Sequence, residues 1–306
     1  MKKAVITGPT GAIGIALINE LIQNGTRVLA ICHKGTKRIA NIPKSDYVEI
    51  IEADLENLKE CAEIVAHDYE VFFHFAWACT VGDSRNNIKA QIDNIQYTID
   101  AVELASILGC KRFIGAGSQA EYGRCERDLD SNTPTFPENG YGIAKLCAGQ
   151  LSRIRCNQLG IDHIWTRILS VYGPYDGEKT LISGLLKSFL NGQSPSCTKG
   201  EQIWDYIYSK DIAKALRLLA ERGVSNKVYC LGSGEGHPLR DYIESIRNLI
   251  NPNLRIGFGE VAYGEKQVMH LCADISELVR DTGFIPQYSF EEGMRETIEW
   301  VRGQKI

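Results

Sequence analysis

Short apolar segments alternate with longer amphipathic segments along the first half of the chain. Six apolar runs, at 3–7, 27–32, 47–52, 71–76, 111–116 and 163–169, have the length and composition of buried strands. Each is followed by enough chain for a crossover helix, and the first helix is predicted over 12–24, before Gly25. This alternation predicts an α/β fold with a doubly wound parallel sheet of the Rossmann kind, covered by helices on both faces.

The pattern changes after Val171, where the turn-rich segment 172–180 interrupts the alternation and the later elements are shorter and more mixed. We therefore expect a second, smaller mixed α/β lobe that binds substrate. A strand and helix around 207–221 and a strand at 228–231 are predicted to return to the first lobe. The expected division is a dinucleotide-binding domain of residues 1–170 plus about 206–235, and a substrate-binding lobe of about 171–205 plus 236–306.

A glycine-rich loop lies between the first predicted strand and the first predicted helix. Its glycines, Gly8, Gly11 and Gly14, follow a G-x-x-G-x-x-G spacing. Glycine permits a tight turn and a close approach of backbone to a pyrophosphate, and the helix N-terminus offers free N–H groups to the phosphates. The residues predicted to bind a dinucleotide here are Gly8, Thr10, Gly11, Ala12 and Ile13.

The end of the second strand indicates which cofactor is bound. An acidic residue at this place hydrogen-bonds a free ribose 2′-hydroxyl, whereas basic residues favour a 2′-phosphate. The chain has no acidic residue there, and a basic cluster follows, made of His33, Lys34, Lys37 and Arg38. This cluster favours NADP(H) over NAD. The alternative is that the charged loop is only solvated and does not discriminate between the two cofactors. Asp54 and Leu55, after the third strand, are placed to hold the adenine edge.

Candidate catalytic residues lie near the fifth strand and at the start of a later helix. Tyr141 and Lys145 are four residues apart, on one face of a predicted helix. A nearby ammonium favours the phenolate, so the tyrosine can act as an acid or a base. Ser118 follows the fifth strand, at the sheet edge where doubly wound folds bind ligands. The three residues are expected to face one crevice.

The composition of the chain restricts the kinds of partner that the protein is expected to bind. The formal net charge is −4, with 44% hydrophobic and 24% charged residues, which excludes the basic excess needed for nucleic-acid binding. Glycines and a proline interrupt the apolar N-terminus, so neither a signal segment nor a membrane span is expected. The ten cysteines are scattered without a C-x-x-C pair, which is typical of reduced thiols in a cytoplasmic protein. No metal site is predicted.

Taken together, the motifs resemble the extended short-chain dehydrogenase/reductase family, in its nucleotide-sugar epimerase, dehydratase and reductase branch. The resemblance covers nearly the whole chain and rests on TGPTGAIG at 7–14, HFAW at 74–77, Asn94, GSQAEYG at 117–123, YGIAK at 141–145, RILSVYGP at 167–174, WDYIYSKDIAKAL at 204–216 and YCLGSGEG at 229–236. It implies that Tyr141 is the acid/base, that Lys145 holds the nicotinamide ribose and tunes Tyr141, and that Ser118 hydrogen-bonds the reacting oxygen. It also implies that Phe75 and Ala76 contact the cofactor.

Departures from the family pattern restrict the reaction. Dehydratases of this branch carry Asp-Glu directly after the hydroxyl residue, and this chain has Gln119 and Ala120. Glu121 lies one position after the place of the dehydratase Glu, and its side chain is expected to point away from the crevice. Bifunctional 3,5-epimerase/reductases carry a cysteine where this chain has Ala120. An NADPH-dependent 4-ketoreductase acting on a nucleotide-linked 4-keto-6-deoxy sugar is therefore expected. The alternatives are a 4-epimerase with tightly bound NAD(P) and a non-catalytic NADP sensor or scaffold.

The substrate side departs as well. Many relatives have Asn at the position of Ser170 and Arg at the position of Trp204, and the indole of Trp204 offers a stacking face or packs in the core. The residues predicted to bind substrate are Trp77, Ser118, Gln119, Ser170 and Trp204. Lys179, Lys187 and Lys199 are candidates for holding the nucleotide. The resemblance also implies a homodimer formed through the helices at 89–107 and 142–157.

Overall fold

The computed structural model describes residues 1–304, which contain fourteen strands and eight α-helices. The strands are β1 (Lys3–Thr7), β2 (Arg27–Cys32), β3 (Val48–Glu52), β4 (Val71–His74), β5 (Arg112–Ser118), β6 (Asp162–Ile168), β7 (Ser170–Tyr172), β8 (Ser196–Cys197), β9 (Ile203–Trp204), β10 (Tyr206–Tyr208), β11 (Lys227–Leu231), β12 (His237–Pro238), β13 (Gly257–Phe258) and β14 (His270–Leu271). The helices are α1 (Ala12–Gln23), α2 (Ile88–Ile107), α3 (Gly140–Leu159), α4 (Leu181–Leu190), α5 (Ser209–Arg222), α6 (Leu239–Ile250), α7 (Ser276–Thr282) and α8 (Phe290–Gly303).

Seven strands form one parallel sheet in the order β11-β6-β5-β4-β1-β2-β3. The chain first adds strands on one side of β1, then returns to add β4, β5, β6 and β11 on the other side. In open parallel sheets a ligand crevice forms where the order reverses, at the carboxyl ends of the strands. That crevice lies here between the ends of β1 and β4.

Helices cover both faces of the large sheet because its strands are apolar on both faces. Along β1, Ala4 and Ile6 pack into a core with α1 and α5, whereas Val5 packs into a second core with α2. This alternation confirms the predicted Rossmann-like, doubly wound fold. Helix α1 ends at the predicted place, since Gly25 follows it with φ of +73°.

The smaller elements build a third core beside the large sheet. β7 pairs with β10, β9 lies between β12 and β14, and β8 pairs with β13. The buried members of this core are mainly aromatic and aliphatic, and include Tyr172, Ile182, Phe189, Tyr208, Tyr242 and Ile246. The smaller lobe expected from the sequence is consistent with these elements.

The exact division between the lobes stays a prediction, and one segment fits it poorly. Leu278 of α7 and the nearby Phe284 pack into the core of the large sheet, against α5 and β11. We therefore propose that residues 276–284 belong with the dinucleotide-binding domain, although the sequence division assigns them to the substrate lobe. Their apolar side chains belong to the same core as those of α1 and α5.

The bounds of β1 and β2 are those predicted, and the bounds of the other predicted strands differ by one or two residues. β4 ends at His74 rather than at Ala76, because the chain there turns past the glycine loop. β5 runs to Ser118, two residues beyond the predicted end, so that Ser118 is itself a strand residue. Within residues 1–304 the structure contains no helix that is long and apolar enough to cross a membrane.

Candidate active site

The glycine loop forms a cradle at the amino end of α1. Gly8 has φ of +69°, and a Cβ on it would lie 2.7 Å from the backbone nitrogen of Ala76. A Cβ on Gly14 would lie 2.6 Å from the carbonyl oxygen of Gly8. Gly11 caps α1 without a side chain, and no heavy atom lies within 4 Å of the place of its Cβ. The loop therefore leaves the helix N–H groups accessible to the phosphates of a dinucleotide, with Thr10, Ala12 and Ile13 around them.

The predicted basic cluster lies at the carboxyl end of β2, and the structure brings part of it to Asp54. His33 Nε2 is 3.5 Å from Asp54 Oδ1, and the Lys34 backbone N–H donates to the same oxygen at 3.4 Å. Arg38 donates instead to the carbonyl oxygen of Tyr175, at 3.2 Å. Leu55 follows Asp54 in a 3-10 helix. The cluster and the predicted adenine residues therefore share one rim of the crevice.

Glu52, at the end of β3, is an acidic residue at this rim that the sequence analysis missed. Its carboxylate accepts a hydrogen bond from the backbone N–H of Gly35, at 2.7 Å. The pairing of β2 with β3 places Glu52 beside Cys32. This neighbourhood was not visible in the sequence because twenty residues separate the two strand ends.

Ser118, Tyr141 and Lys145 come together at the carboxyl end of β5. Ser118 ends β5, whereas Tyr141 and Lys145 lie in the first turns of α3, whose start is capped by the side chain of Asn139. Ser118 and Lys145 are buried, and the Lys145 ammonium donates to the carbonyl oxygen of Ala116 at 2.6 Å. The predicted catalytic residues therefore share one site, in which Ser118 and Lys145 are buried and Tyr141 is partly buried.

Burial is the main influence on the pKa values of Tyr141 and Lys145. It raises the pKa of Tyr141, which hydrogen bonding by Ser118 and the positive charge of Arg85 partly offset. Burial lowers the pKa of Lys145 to about 7, against the opposing effect of Glu121. The phenol of Tyr141 is therefore protonated at neutral pH, and a protonated phenol beside an amine is suited to donate a proton to a carbonyl oxygen.

Trp77 lies directly against the predicted catalytic pair. The Lys145 Nζ atom is 3.6 Å from the centroid of the Trp77 ring, and the Trp77 and Tyr141 rings meet edge to face, with centroids 6.1 Å apart. The indole Nε1 donates to Gln91 at 3.0 Å. An indole face stabilises an ammonium by a cation–π interaction. Trp77 is therefore in contact with the predicted catalytic residues, and Gln91, which sequence reasoning missed, orients it.

Asn94 fixes the segment after β4. Its side chain accepts from the backbone N–H of Ala78 and donates to the carbonyl oxygen of the same residue, both at 3.0 Å. Phe75 and Ala76 lie just before this anchor, and the Phe75 N–H donates to the carbonyl oxygen of Thr7. Phe75 and Ala76, which are predicted to contact the cofactor, therefore lie between the glycine loop and Trp77.

Glu121 points away from the crevice, as the sequence indicated, and it supports the site from behind. Its carboxylate accepts from the Ser118 backbone N–H at 2.8 Å, from Trp165 Nε1 at 3.0 Å and from Arg167 Nε at 2.8 Å. Both Glu121 and Arg167 are buried. Gln119 and Ala120 fill the short 3-10 turn between Ser118 and Glu121. The positioning role of Glu121 was not predicted, because its partners come from β6.

Ser170 and Trp204 meet each other across the small lobe. The Trp204 Nε1 atom donates to the Ser170 hydroxyl at 2.8 Å. Trp204 is partly buried and packs against two apolar cores. The alternatives left open for Trp204, stacking and packing, are thus both compatible with its position. Lys179, Lys187 and Lys199 are exposed.

Arg85 is a further residue of the site that the sequence did not indicate. Its guanidinium carbon lies 4.4 Å from the centroid of the Tyr141 ring. The only signal in the sequence is its position in a polar segment after the fourth strand, which is typical of any loop.

Comparison with known proteins assigns this arrangement to a family. A model of the "NAD dependent epimerase/dehydratase family" matches residues 4–232, more than half of the chain. A "Putative UDP-glucose 4-epimerase" of Methanocaldococcus jannaschii is 28% identical over 97% of this chain and 98% of its own length. A "dTDP-4-dehydro-6-deoxyglucose reductase" of Escherichia coli is 26% identical over 97% of each chain.

A similar solved structure supports the same assignment. It is a UDP-N-acetylglucosamine 4-epimerase from Methanobrevibacter ruminantium M1 in complex with UDP-N-acetylmuramic acid, with 26% identity, a TM-score of 0.89 and 99% of each chain covered. The chain therefore belongs to the NAD dependent epimerase/dehydratase family and is an enzyme of the extended short-chain dehydrogenase/reductase type.

Proposed function

We propose that this enzyme exchanges a hydride at one carbon of a nucleotide-linked sugar, and that it works as an NADPH-dependent reductase of a 4-keto group. One observation carries the proposal. Ser118, Tyr141 and Lys145 are assembled in one largely buried site, and the two residues after Ser118 are Gln119 and Ala120. Eliminating water from a sugar needs an extra acid and an extra base at these positions, and neither side chain supplies one. The site is equipped for reduction or oxidation at a single carbon.

The chain's own residues handle the proton in this reaction. The nicotinamide of the cofactor supplies the hydride. Tyr141 donates its phenolic proton to the sugar oxygen, and the Ser118 hydroxyl orients that oxygen by a hydrogen bond. The Lys145 ammonium stabilises the resulting phenolate, and a proton taken up from solvent restores the phenol after the reaction. Trp77 and the 3-10 turn at Gln119 limit the access of water.

NADP(H) is the proposed cofactor, with NAD as the alternative. The glycine cradle at Gly8, Gly11 and Gly14 fits a dinucleotide pyrophosphate, and Lys34 and Arg38 lie at the ribose end of the crevice. Lys34 contacts Asp54 only through its backbone, so its ammonium is available to a 2′-phosphate. Glu52 favours NAD instead, because its carboxylate at the end of β3 repels the 2′-phosphate of NADP(H).

A nucleotide-linked sugar is the proposed substrate. The relative from Methanobrevibacter ruminantium, 26% identical, is described as bound to UDP-N-acetylmuramic acid. Trp77, Gln119 and Ser118 would contact the sugar, and the hydrogen-bonded pair of Ser170 and Trp204 would contact the nucleotide part. An indole offers a stacking face rather than a charge, so we expect base or ribose contacts there rather than phosphate contacts.

A 4-epimerase is the second candidate. It is favoured by the names of two relatives, the putative UDP-glucose 4-epimerase and the UDP-N-acetylglucosamine 4-epimerase, each matched over nearly the whole chain. An epimerase uses the same three residues, first in oxidation and then in reduction.

Cofactor stoichiometry separates the two candidates. The purified enzyme is incubated with CDP-, dTDP-, GDP- and UDP-linked 4-keto-6-deoxy sugars and with NADPH or NADH in parallel. Loss of nicotinamide absorbance in proportion to product supports the reductase. Interconversion of 4-hydroxy sugars without added cofactor refutes it and establishes the epimerase. The faster of the two cofactors decides between NADP and NAD.

Tyr141→Phe tests catalysis itself. We expect turnover to fall by about 10²- to 10⁴-fold, because the general acid is removed, while NADPH affinity stays within about twofold. If the wild type and the variant are equally inert on every substrate yet both bind NADPH, a sensing role replaces the enzymatic one.

Two further proposals concern the setting of the enzyme. Exposed isoleucine and leucine side chains on α2 and α3, at Ile88, Ile92, Ile143, Leu151 and Ile154, favour a homodimer formed through these helices.

All ten cysteines are free thiols, and seven of them are buried, which favours a reducing compartment such as the cytoplasm.

A further inference from the structure

The segment between β4 and α2 places a permanent cation over the predicted acid/base. The Arg85 guanidinium carbon is 4.4 Å from the Tyr141 ring centroid, whereas the Lys145 Nζ atom is 5.8 Å from it. In the described part of the chain Arg85 forms no salt bridge, and its Nε atom is buried without a hydrogen-bond partner. Its charge is therefore not neutralised by a carboxylate.

Two features hold the backbone at Arg85 against the start of α3. The Asn86 side chain accepts from the backbone N–H of Gly140 at 2.9 Å, at the start of the helix that carries Tyr141. A Cβ on Gly140 would lie 3.0 Å from the Arg85 carbonyl oxygen, so the two backbones are closely packed. Asn87 then caps α2. The segment is thus fixed to the starts of both α2 and α3.

We propose that Arg85 is a positioning residue for the proposed reaction, holding the Tyr141 ring in place and favouring its phenolate form. A cation over an aromatic face is attracted to the ring, and more strongly when the ring bears a negative charge. The proposal rests on the proposed function of Tyr141, and it adds Arg85 to Lys145 as a second cation that acts on this ring.

Lys145 and Arg85 differ in how their charges are placed around Tyr141. Its ammonium is directed to the Ala116 carbonyl oxygen and lies on the Trp77 ring. Burial lowers the pKa of Lys145 to about 7, so that its charge is partly lost at neutral pH. A guanidinium stays charged at every pH at which the protein is folded. The other charged group that acts on Tyr141 is Glu121, behind Ser118, and it opposes ionisation.

The test is a titration of Tyr141 that needs no substrate. Tyrosinate absorbance near 295 nm is recorded against pH for the wild type, R85Q, R85K and R127Q, each minus its Y141F counterpart, within the range in which near-ultraviolet circular dichroism reports an intact fold. The subtraction isolates Tyr141 from the other twelve of the thirteen tyrosines. Arg127 is an exposed arginine in the loop after β5 and serves as the control for a lost surface charge.

We expect R85Q to raise the pKa of Tyr141 by about 0.5 to 1.5 units, whereas R85K and R127Q stay close to the wild type. R85M, which keeps the apolar stem, replaces R85Q if the amide variant does not fold. No shift in R85Q, an equal shift in R127Q, or a shift in R85K as large as that in R85Q overturns the proposal.

Activity assays separate this inference from the proposed function. On an accepted substrate, kcat/KM of R85Q at neutral pH should fall about 3- to 30-fold, and the basic limb of its pH profile should move with the titration. If the wild type turns over no nucleotide sugar but the titration shift is present, the proposed function fails and the role of Arg85 stands. If the enzyme is active and the titration does not shift, the role of Arg85 fails alone.

Discussion

The carboxylate of Glu121 holds the backbone of Ser118 in position. It is fully buried and accepts hydrogen bonds from Ser118, Trp165 and Arg167. Removing one partner of a buried ion pair leaves the other charge without compensation. We therefore predict that Glu121→Ala lowers the free energy of unfolding by about 3–5 kcal/mol in urea titrations. Glu126→Ala, at an exposed position in the same loop, is the control and should change it by less than about 0.5 kcal/mol. Equal losses in both variants would contradict the prediction.

The buried ammonium of Lys145 has a cost in stability that depends on pH. Burial lowers its pKa to about 7, below its value in the unfolded chain. The unfolded chain therefore binds more protons than the native one between pH 7 and about 10.4, and stability rises with pH across that window. Lys145→Met removes this penalty, which is on the order of 4 kcal/mol at pH 7.

We predict that Lys145→Met is inactive but gains stability relative to the wild type at pH 7, and that the difference in unfolding free energy shrinks towards pH 10. Chemical denaturation at both pH values measures it. Lys187→Met, at an exposed position on α4, controls for the loss of a charge. A difference that is constant with pH would mean that Lys145 is fully charged in the native protein at both values.

Single residues were predictable where a local motif fixes them. Gly8, Tyr141 and Lys145 each follow from a spacing within one loop or one helix turn, and the structure brings the last two together with Ser118. Arg85 and Glu121 were not predictable in their roles. Their partners lie 56 and 46 residues further along the chain, at Tyr141 and Arg167, and only the packing of α3 and β6 brings these groups together.

Whole elements were predicted more reliably than their ends. Strands β1, β2 and β4 of the large sheet are buried on both faces, so each appears as a nearly continuous apolar run, whereas the edge strand β3 is largely exposed. The ends depend on tertiary contacts instead. β5 continues to Ser118 because β6 pairs with it through Ile168. The two-residue strands of the small lobe, such as β8 and β13, are too short to give a period in the sequence.

Helices α2 and α3 are the elements that we expect to form the dimer. Ile92 of α2 and Ile154 of α3 are 60% and 50% exposed, and an isoleucine this open to water on a packed helix pair indicates a covering surface. We predict that Ile92→Glu combined with Ile154→Glu halves the mass measured by sedimentation. Ile285→Glu, in a loop and 65% exposed, should leave the mass unchanged. A monomeric wild type, or a dimer that survives the double substitution, would contradict the expected interface.

The molecule as a whole should lose stability in acid through its buried histidines. Burial lowers the pKa of His74 and of His163 to about 3, in both cases chiefly by desolvation. An unfolded histidine binds a proton near pH 6.5, so the stability that these neutral rings provide is complete above that value and is lost as the pH falls towards 3. The loss is on the order of 2 kcal/mol for each ring at pH 5.

We predict that unfolding free energy falls steeply between pH 6.5 and 4.5, and that the slope is shallower in His163→Gln. His237→Gln, at an exposed position, should keep the slope of the wild type. Urea titrations at four pH values over this range measure both. Identical slopes in all three proteins would show that the acid loss has its origin in the carboxylates.

The strand order has a consequence for the way the chain is made. β6 pairs with β5 on one side, but its other partner, β11, ends at Leu231, sixty-three residues after the end of β6 at Ile168. A ribosome that adds about 5–20 residues per second needs roughly 3–13 seconds to supply that partner. During this interval a nascent chain carries an open, apolar sheet edge, which is the surface that recruits chaperones and that pairs wrongly between neighbouring chains. Slow translation of the stretch that encodes residues 169–231 should therefore lower the soluble yield of this enzyme more than equally slow translation after Leu231.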